Sequence, residues 1–226
     1  MSAALLALAL AATSAGSEPL VLVDRSQPRS VIVTPDDATA TVDGAANELA
    51  AYLDRISGTD VPIVRESRFE EGLRIDVGPT RRARASLPEG FLDDEERVLV
   101  RSGPEGVVIC GGSDRATLYA IYRFLETLGC RWLTPEPENE IVPRRPTLSL
   151  EDLHLDTQPA FRWRLFIGGR RDESEPWGVK MGFNGLYTPQ AGLDNGACYY
   201  YPADFDSVHT WWKIIPNDPY FEEHPE

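Results

Sequence analysis

Two stretches of helical periodicity, each flanked by short extended runs, set the tightest limit on how this chain can fold. From about Val42 to Ser57, the residues Ala45, Leu49, Tyr52, Leu53 and Ile56 recur at i, i+4, i+7, i+8 and i+11, which puts them on one face of an α-helix. A second stripe is formed by Leu118, Ile121, Tyr122, Leu125 and Leu128. Gly58 and Gly129 stop the two helices; Asp43 or Thr41 is expected to cap the first and Ser113 the second. A helix cannot bury its own apolar stripe, so each must lie on something else. Extended runs at 20–23, 30–33, 61–64, 73–77, 98–101, 107–110, 131–133 and 147–150 supply it. Pro62 suggests an edge position or a strand start for one of them. Gly78-Pro79 ends another, and 81–85 suits a helical turn. The pair 98–101 and 107–110 flanks Ser102-Gly103-Pro104-Glu105-Gly106 and reads as a hairpin with a longer loop. Hairpins mixed with helix-separated strands imply an α/β (α+β) fold over residues 18–157: a mixed-sheet, two-layer sandwich with two main helices. Its size suits one core.

The composition then changes. Seven of the chain's 21 aromatic residues lie in the first 157 positions and 14 in the last 69. This shift, beside Gln158-Pro159, marks the expected domain boundary. Beyond it, 161–167 reads as a strand, 177–181 as helical and 185–187 as a second strand. Such a series opens a TIM-type (β/α)8 barrel, which takes about 250 residues. Residues 158–226 are therefore expected to be the truncated start of one; the alternative is a smaller independent unit.

Charge and motifs exclude several functions. Lys and Arg number 22 against 36 Asp and Glu, a net charge of −14. Nucleic acid, whose binding requires a basic face, is excluded as a partner, and an anionic membrane surface is disfavoured. The apolar run from Ala3 to Ala12, followed by Thr13-Ser14-Ala15, has the pattern of a signal peptide over 1–16, although no Lys or Arg precedes it; the alternative is a buried first helix. Export would make the protein secreted or periplasmic, with no membrane insertion after signal cleavage. Three cysteines, Cys110, Cys130 and Cys198, leave at least one unpaired within the chain, and Cys110, in an apolar run, reads as a buried small thiol. No Cys/His spacing suits zinc and no glycine-rich nucleotide loop is present, so no cofactor and no metal are expected. Gly111-Gly112-Ser113 precedes a helix, where an anion could bind, but a sharp strand-to-helix turn accounts for the glycines.

Several motifs together resemble a known arrangement. Ala45-Ala46-Asn47-Glu48-Leu49 through Gly58 resembles the first helix of a non-catalytic domain that precedes sugar-cleaving barrels. Ile75-Asp76-Val77-Gly78 resembles its strand end, Gly111 to Ala120 the start of its second helix, and Gly129-Cys130-Arg131-Trp132-Leu133-Thr134-Pro135 its exit strand. This domain is similar to the N-terminal domain of bacterial α-glucuronidases and to domain 2 of β-hexosaminidases. The chain resembles in particular a secreted bacterial family of unassigned function that joins such a domain to a glycoside-hydrolase-like (β/α)8 barrel. Pro159 to Arg164 resembles that barrel's first strand, and His209-Thr210-Trp211-Trp212 to Glu226 its later signature. The resemblance implies that the catalytic carboxyl groups lie past Glu226, so no residue here is assigned as catalytic.

Four residues are candidates for binding substrate. Arg164 could fork a uronic carboxylate or make an ordinary ion pair. Asn184, before Gly185, could contact a ligand or form a turn. His209 and Trp211 lie in an aromatic loop whose rings and polar tips suit sugar faces, or simply pack on a barrel. Two functions fit: a glycosidase acting on an oligo- or polysaccharide, or a non-catalytic glycan-binding or scaffolding module.

Overall fold

The first helix shows how local sequence positions the whole unit. In the computed structural model, which describes residues 18–161, 164, 177–184 and 222, α1 spans Ala40–Ser57. Its cap is Thr39, whose backbone is extended and whose Oγ1 accepts from the Val42 amide at 3.3 Å. The expected caps, Thr41 and Asp43, lie inside the helix, and the Asp43 carboxylate pairs with Arg65 at 2.6 Å instead. Gly58 stops the helix in the left-handed conformation, φ 73°. The expected face is buried: Ala45, Leu49, Tyr52, Leu53 and Ile56.

Around it run β1 (Leu20–Asp24), β2 (Gln27–Pro28), β3 (Ser30–Thr34), β4 (Ile63–Arg65) and β5 (Leu73–Val77). A short α2 (Arg81–Ser86) leads to β6 (Val98–Gly103), β7 (Gly106–Gly111) and α3 (Asp114–Thr127), and the unit closes with β8 (Arg131–Trp132), β9 (Glu140–Ile141), β10 (Leu148–Leu150) and β11 (His154–Thr157). Six strands form a mixed sheet in the order β11-β6-β7-β5-β3-β4. The inner run β7-β5-β3-β4 is parallel and β6 and β11 are antiparallel. β4, just after Pro62, takes the edge. The remaining strands form a β10-β1-β2 sheet and a β8-β9 ribbon.

The fold class is therefore the expected one, a mixed α/β sandwich in which α1 and α3 pack together on one sheet face. The hairpin differs from expectation. β6 and β7 stay paired as far as Gly103 and Gly106, leaving only Pro104-Glu105 as the loop. Gly106 makes this possible: φ is 133°, and a Cβ there would stand 1.8 Å from the Arg74 carbonyl oxygen of the neighbouring strand. Strands β2, β9 and β11 were not expected; β2 and β9 are two residues each, and β11 is mostly polar, His154-Leu155-Asp156-Thr157, with no apolar run.

The main core joins the helix stripes to Ile32, Ile75, Val77, Val107 and Ile109 of the sheet. It also takes in Val179, only 2% exposed. Residues 177–180 are helical, as expected. Of the strand expected at 161–167, Phe161 and Arg164 are described and neither is in a strand; the rest, with 185–187 and the export signal at 1–16, lies outside the described residues.

Candidate functional site

A dense group of polar contacts lies where Arg164 and residues 177–184 meet the sheet unit. Glu96 follows a 3-10 turn, Phe91–Asp93, and is 8% exposed. The β7–α3 turn backs directly onto this loop: a Cβ on Gly112 would lie 1.8 Å from the Asp94 carbonyl oxygen, and one on Gly111 2.2 Å from the Ala116 carbonyl carbon. That close approach accounts for the two glycines as a sharp turn. It also sets Arg115, in the first turn of α3, against Glu96, and the two form a buried ion pair.

Arg164 reaches the other Glu96 oxygen through Nη2 at 2.6 Å. Its Nε donates to the Gly182 carbonyl at 2.6 Å and its Nη1 to the Phe161 carbonyl at 2.8 Å. The guanidinium carbon lies 5.8 Å from the centre of the Tyr119 ring. Asn184 is fully buried; its Oδ1 accepts from the Arg164 amide at 2.9 Å, and its own amide donates to the Arg164 carbonyl at 3.0 Å. The structure thus brings Arg164 and Asn184 together as one hydrogen-bonded unit, with the Arg fork directed at protein carbonyls and a carboxylate. His209 and Trp211 lie outside the described residues.

A second cluster centres on Glu140 of the β8-β9 ribbon. Tyr52 donates its hydroxyl to Glu140, Trp132 donates Nε1 at 2.6 Å, and Arg55 pairs with the carboxylate at 2.7 Å. Lys180 comes in from the later segment, with Nζ 2.8 Å from the Tyr52 hydroxyl and 3.4 Å from Glu140. Burial pushes the Glu140 carboxyl up, but hydrogen bonds from Arg55 and Tyr52, then the Lys180 charge and the Trp132 bond, override it and hold the group at about 2. Burial, with the bond to Glu140, raises the Tyr52 phenol well above its ordinary value. Tyr122 is raised likewise by burial and by Glu48, which its hydroxyl meets at 2.9 Å. These tyrosines are neutral donors.

Between the clusters lies an open cavity of about 320 Å³, lined among others by Glu96, Tyr119, Arg123, Thr157, Arg164 and Lys180. Its cations already face carboxylates: Arg123 meets Glu126 at 2.8 Å, Arg164 meets Glu96 and Lys180 meets Glu140. Such a rim offers hydrogen bonds to a neutral, hydroxylated ligand more readily than net charge to an anion. Among the described residues the thiols offer no nucleophile. Cys110 and Cys130 are buried and unbridged, and burial pushes them up to about 12 and about 11. Among the described residues no group of three or more His, Cys, Asp or Glu could hold a metal ion, and no helix is long and apolar enough to cross a membrane.

Glu96, Tyr119, Glu140 and Lys180 were not candidates from sequence. Glu96 ends the acidic run Asp93-Asp94-Glu95-Glu96, which reads as solvated loop, and Glu140 follows a Pro-rich turn. Only their pairing partners distinguish them, and several of those lie far away in the chain: Arg164 is 68 residues from Glu96 and Tyr52 is 88 from Glu140.

No family model and no curated protein matches the chain. Solved structures do resemble it. One is a family GH115 4-O-methyl-α-glucuronidase with specificity for decorated arabinogalactans, at 15% identity over 64% of this chain and 19% of its own, TM-score 0.48. Another is a Streptomyces plicatus β-hexosaminidase, at 21% identity over 65% of this chain and 24% of its own, TM-score 0.40. A third is CpGH84D, at 11% identity over 66% of this chain and 24% of its own, TM-score 0.41. The chain spans about a fifth to a quarter of these proteins.

Proposed function

We propose that this chain is the N-terminal portion of an exported, glycoside hydrolase-type protein acting on an oligo- or polysaccharide. In this reading the mixed-sheet unit is an accessory domain and the aromatic-rich residues from 158 onward begin the sugar-handling barrel. One observation carries it: the buried Glu96 and the half-buried Glu140 of the sheet unit receive Arg164 and Lys180, so the unit's polar machinery holds the following segment in place. Arg164 and Asn184 accordingly position that segment. His209 and Trp211 contact the sugar through ring faces and polar edges. The 14 aromatic residues among the last 69 support this assignment. Nucleic acid is not a partner at a net charge of −14. The signal at 1–16 directs the chain to the periplasm or outside the cell, where it is free of the membrane after cleavage.

The full chain is tested by calorimetry with neutral and uronic-acid-bearing oligosaccharides, alongside a hydrolysis assay. Saturable binding weakened about 10-fold or more by Trp211→Ala, the loss of a stacked ring, with no turnover, supports the reading. Hydrolysis by the full chain would put the active site within these residues and overturn the assignment of accessory domain plus barrel start. Absence of binding to any glycan would remove His209 and Trp211 as sugar contacts. Binding unchanged in Trp211→Ala and His209→Ala but lost on changing residues of the sheet unit would favour the non-catalytic glycan-binding module instead.

A further inference from the structure

The composition boundary at 157/158 and the packing boundary do not coincide. Beyond residue 157, Val179 is 2% exposed within the main core, Asn184 is fully buried, and residues 177–184 together with Arg164 meet the sheet unit at four chemically different points. The Trp177 indole donates to the Trp132 carbonyl at 2.9 Å. Lys180 inserts its ammonium among Tyr52, Trp132 and Glu140, 5.4 Å from one ring centre and 6.0 Å from the other. The Tyr119 hydroxyl donates to the Phe183 carbonyl at 2.9 Å. Arg164 ties the far end, bonding Gly182 and Asn184 on one side and Glu96 on the other.

We propose that the surface formed by Tyr52, Tyr119, Trp132, Glu96 and Glu140 is a built-in docking site whose partner is the chain's own Trp177–Asn184 segment, and that the protected structure therefore runs through Asn184 rather than ending near 157, with the docked segment able to open on its own. Three features make the seat specific. Hydrogen bonds to backbone carbonyls cross it in both directions, from Tyr119 to Phe183 and from Trp177 to Trp132, which demands one register. Its charges come as pairs split across the contact, Arg164 with Glu96 and Lys180 with Glu140. Its rings form an apolar slot, with Tyr52 and Tyr122 edge-on to Trp132 at 5.8 and 5.3 Å, that accepts an alkyl-ammonium chain along its length. A seat of this kind leaves the segment little room to pivot: Asn184 is bonded to Arg164, and Arg164 to Glu96. The dock is independent of what the chain binds, so a failed glycan assay leaves it intact.

Hydrogen exchange on the full chain tests this. Amides of Gly182, Phe183 and Asn184 donate to Val179, Gly178 and Arg164, so they are expected to exchange as slowly as those of α3. Arg164→Lys keeps a positive charge for Glu96 but, with its donors on one atom, lacks the fork that reaches Gly182, Phe161 and Glu96 together. It is expected to speed exchange at Phe183 and Asn184 by about 10-fold or more while leaving α3 unchanged, a local opening rather than a global one. Lys180→Met, which keeps the stem and removes the charge, is expected to give a smaller acceleration confined to 178–182. Should Arg164→Lys fail to fold, Trp177→Phe, which deletes one donor and keeps an aromatic ring, reads the same dock. Wild-type amides at 182–184 that exchange at free-peptide rates would overturn the proposal. So would a variant series in which those amides and α3 respond equally.

Discussion

The two faces of the six-stranded sheet are closed by different means. On the helical face, α1 and α3 lay continuous apolar stripes over Ile32, Ile75, Val77, Val107 and Ile109, and the core there is almost wholly apolar. On the opposite face α2 and the turn at Phe91 cover a small patch of Ala83, Phe91, Leu99, Val108 and Cys110. Beside that patch Asp76 is fully buried. It receives Arg82 at 2.6 Å, Arg74 Nε at 3.0 Å and the Thr80 hydroxyl at 2.6 Å. One face is held by area removed from water, the other by a charge cluster that stands where a hydrophobic residue would otherwise sit. The first mechanism tolerates exchange of shape for shape. The second tolerates nothing that removes one partner, because the remaining charges lose their compensation.

The largest expected effect lies on the helical face. Leu125 is fully buried in the main core. Leu125→Ala removes its methyl groups and leaves a cavity, an expected loss of about 2–5 kcal/mol in urea unfolding of the full chain. A loss under about 1 kcal/mol, the value for a site able to collapse or an exposed one, would mean the helical face is not the rigid half.

On the opposite face, Asp76→Ala should cost about 3 kcal/mol, near the lower end for a broken buried pair, because Arg82 can still turn toward Glu105, which it already meets at 3.0 Å. Asp76→Asn keeps the shape and the Thr80 bond and should recover only part of this. If alanine and asparagine variants are equally stable to wild type, the cluster is not what closes this face.

These two faces also mark how far the sequence could be read. Both helix stripes, their glycine stops and the Ser113 cap were legible because helical burial leaves a period of 3.6 and because capping is local. Strand β5 was legible by alternation, yet its Asp76 falls in a position where alternation predicts a polar, solvated side; nothing nearby says that Arg82, six residues on, will cover it. The hairpin loop was misjudged because Gly106 matters through the Arg74 carbonyl of another strand. At the candidate site Arg164 and Asn184 were singled out as residue types, but their mutual bond spans 20 residues and their partner Glu96 lies 68 residues earlier. Pairings at that separation leave no trace in a single sequence.

A pH measurement sharpens the contrast at the margin of the helical face, where polar groups do intrude. Glu140 is held at about 2 against an ordinary value of 4.5. Its folded value is depressed, so the stability it contributes is fully present above its unfolded value and is lost as pH falls toward 2. Asp24, Asp36, Glu136 and Asp156 are also lowered by hydrogen-bond partners and add to the same slope. The difference between wild type and Glu140→Gln isolates one group. The variant should be the less stable protein at neutral pH and should lose less stability between about pH 5 and pH 2, the range that the shift spans. Parallel curves would mean that Glu140 gains nothing from Arg55, Tyr52 and Lys180.

The smallest expected effect concerns where the helical face begins. Three residues could in principle satisfy the first amides of α1: Thr39, Thr41 and Asp43. Only Thr39 has the extended backbone of a cap and an oxygen 3.3 Å from the Val42 amide, and its hydroxyl also donates to Asp114 at the start of α3 at 2.7 Å. It therefore ties both helix N-termini together. Thr39→Ala should cost about 1 kcal/mol, the usual value for a lost cap. Asp43 sits in the first turn, where a negative charge suits the helix dipole, but its pair with Arg65 is more than a third exposed on both sides. Such a pair contributes roughly 0–1 kcal/mol, so Asp43→Asn should cost less than Thr39→Ala. Thermal unfolding of the two variants in low and moderate salt separates them further. The Asp43 effect should shrink with salt, because it is charge on an exposed surface, and the Thr39 effect should shrink less, because its bond to Val42 is between neutral groups. If Asp43→Asn proves the more damaging variant and its effect resists salt, the first turn of α1 is anchored through Arg65 rather than capped by Thr39. The helical face would then depend on a charge pair, as the opposite face does.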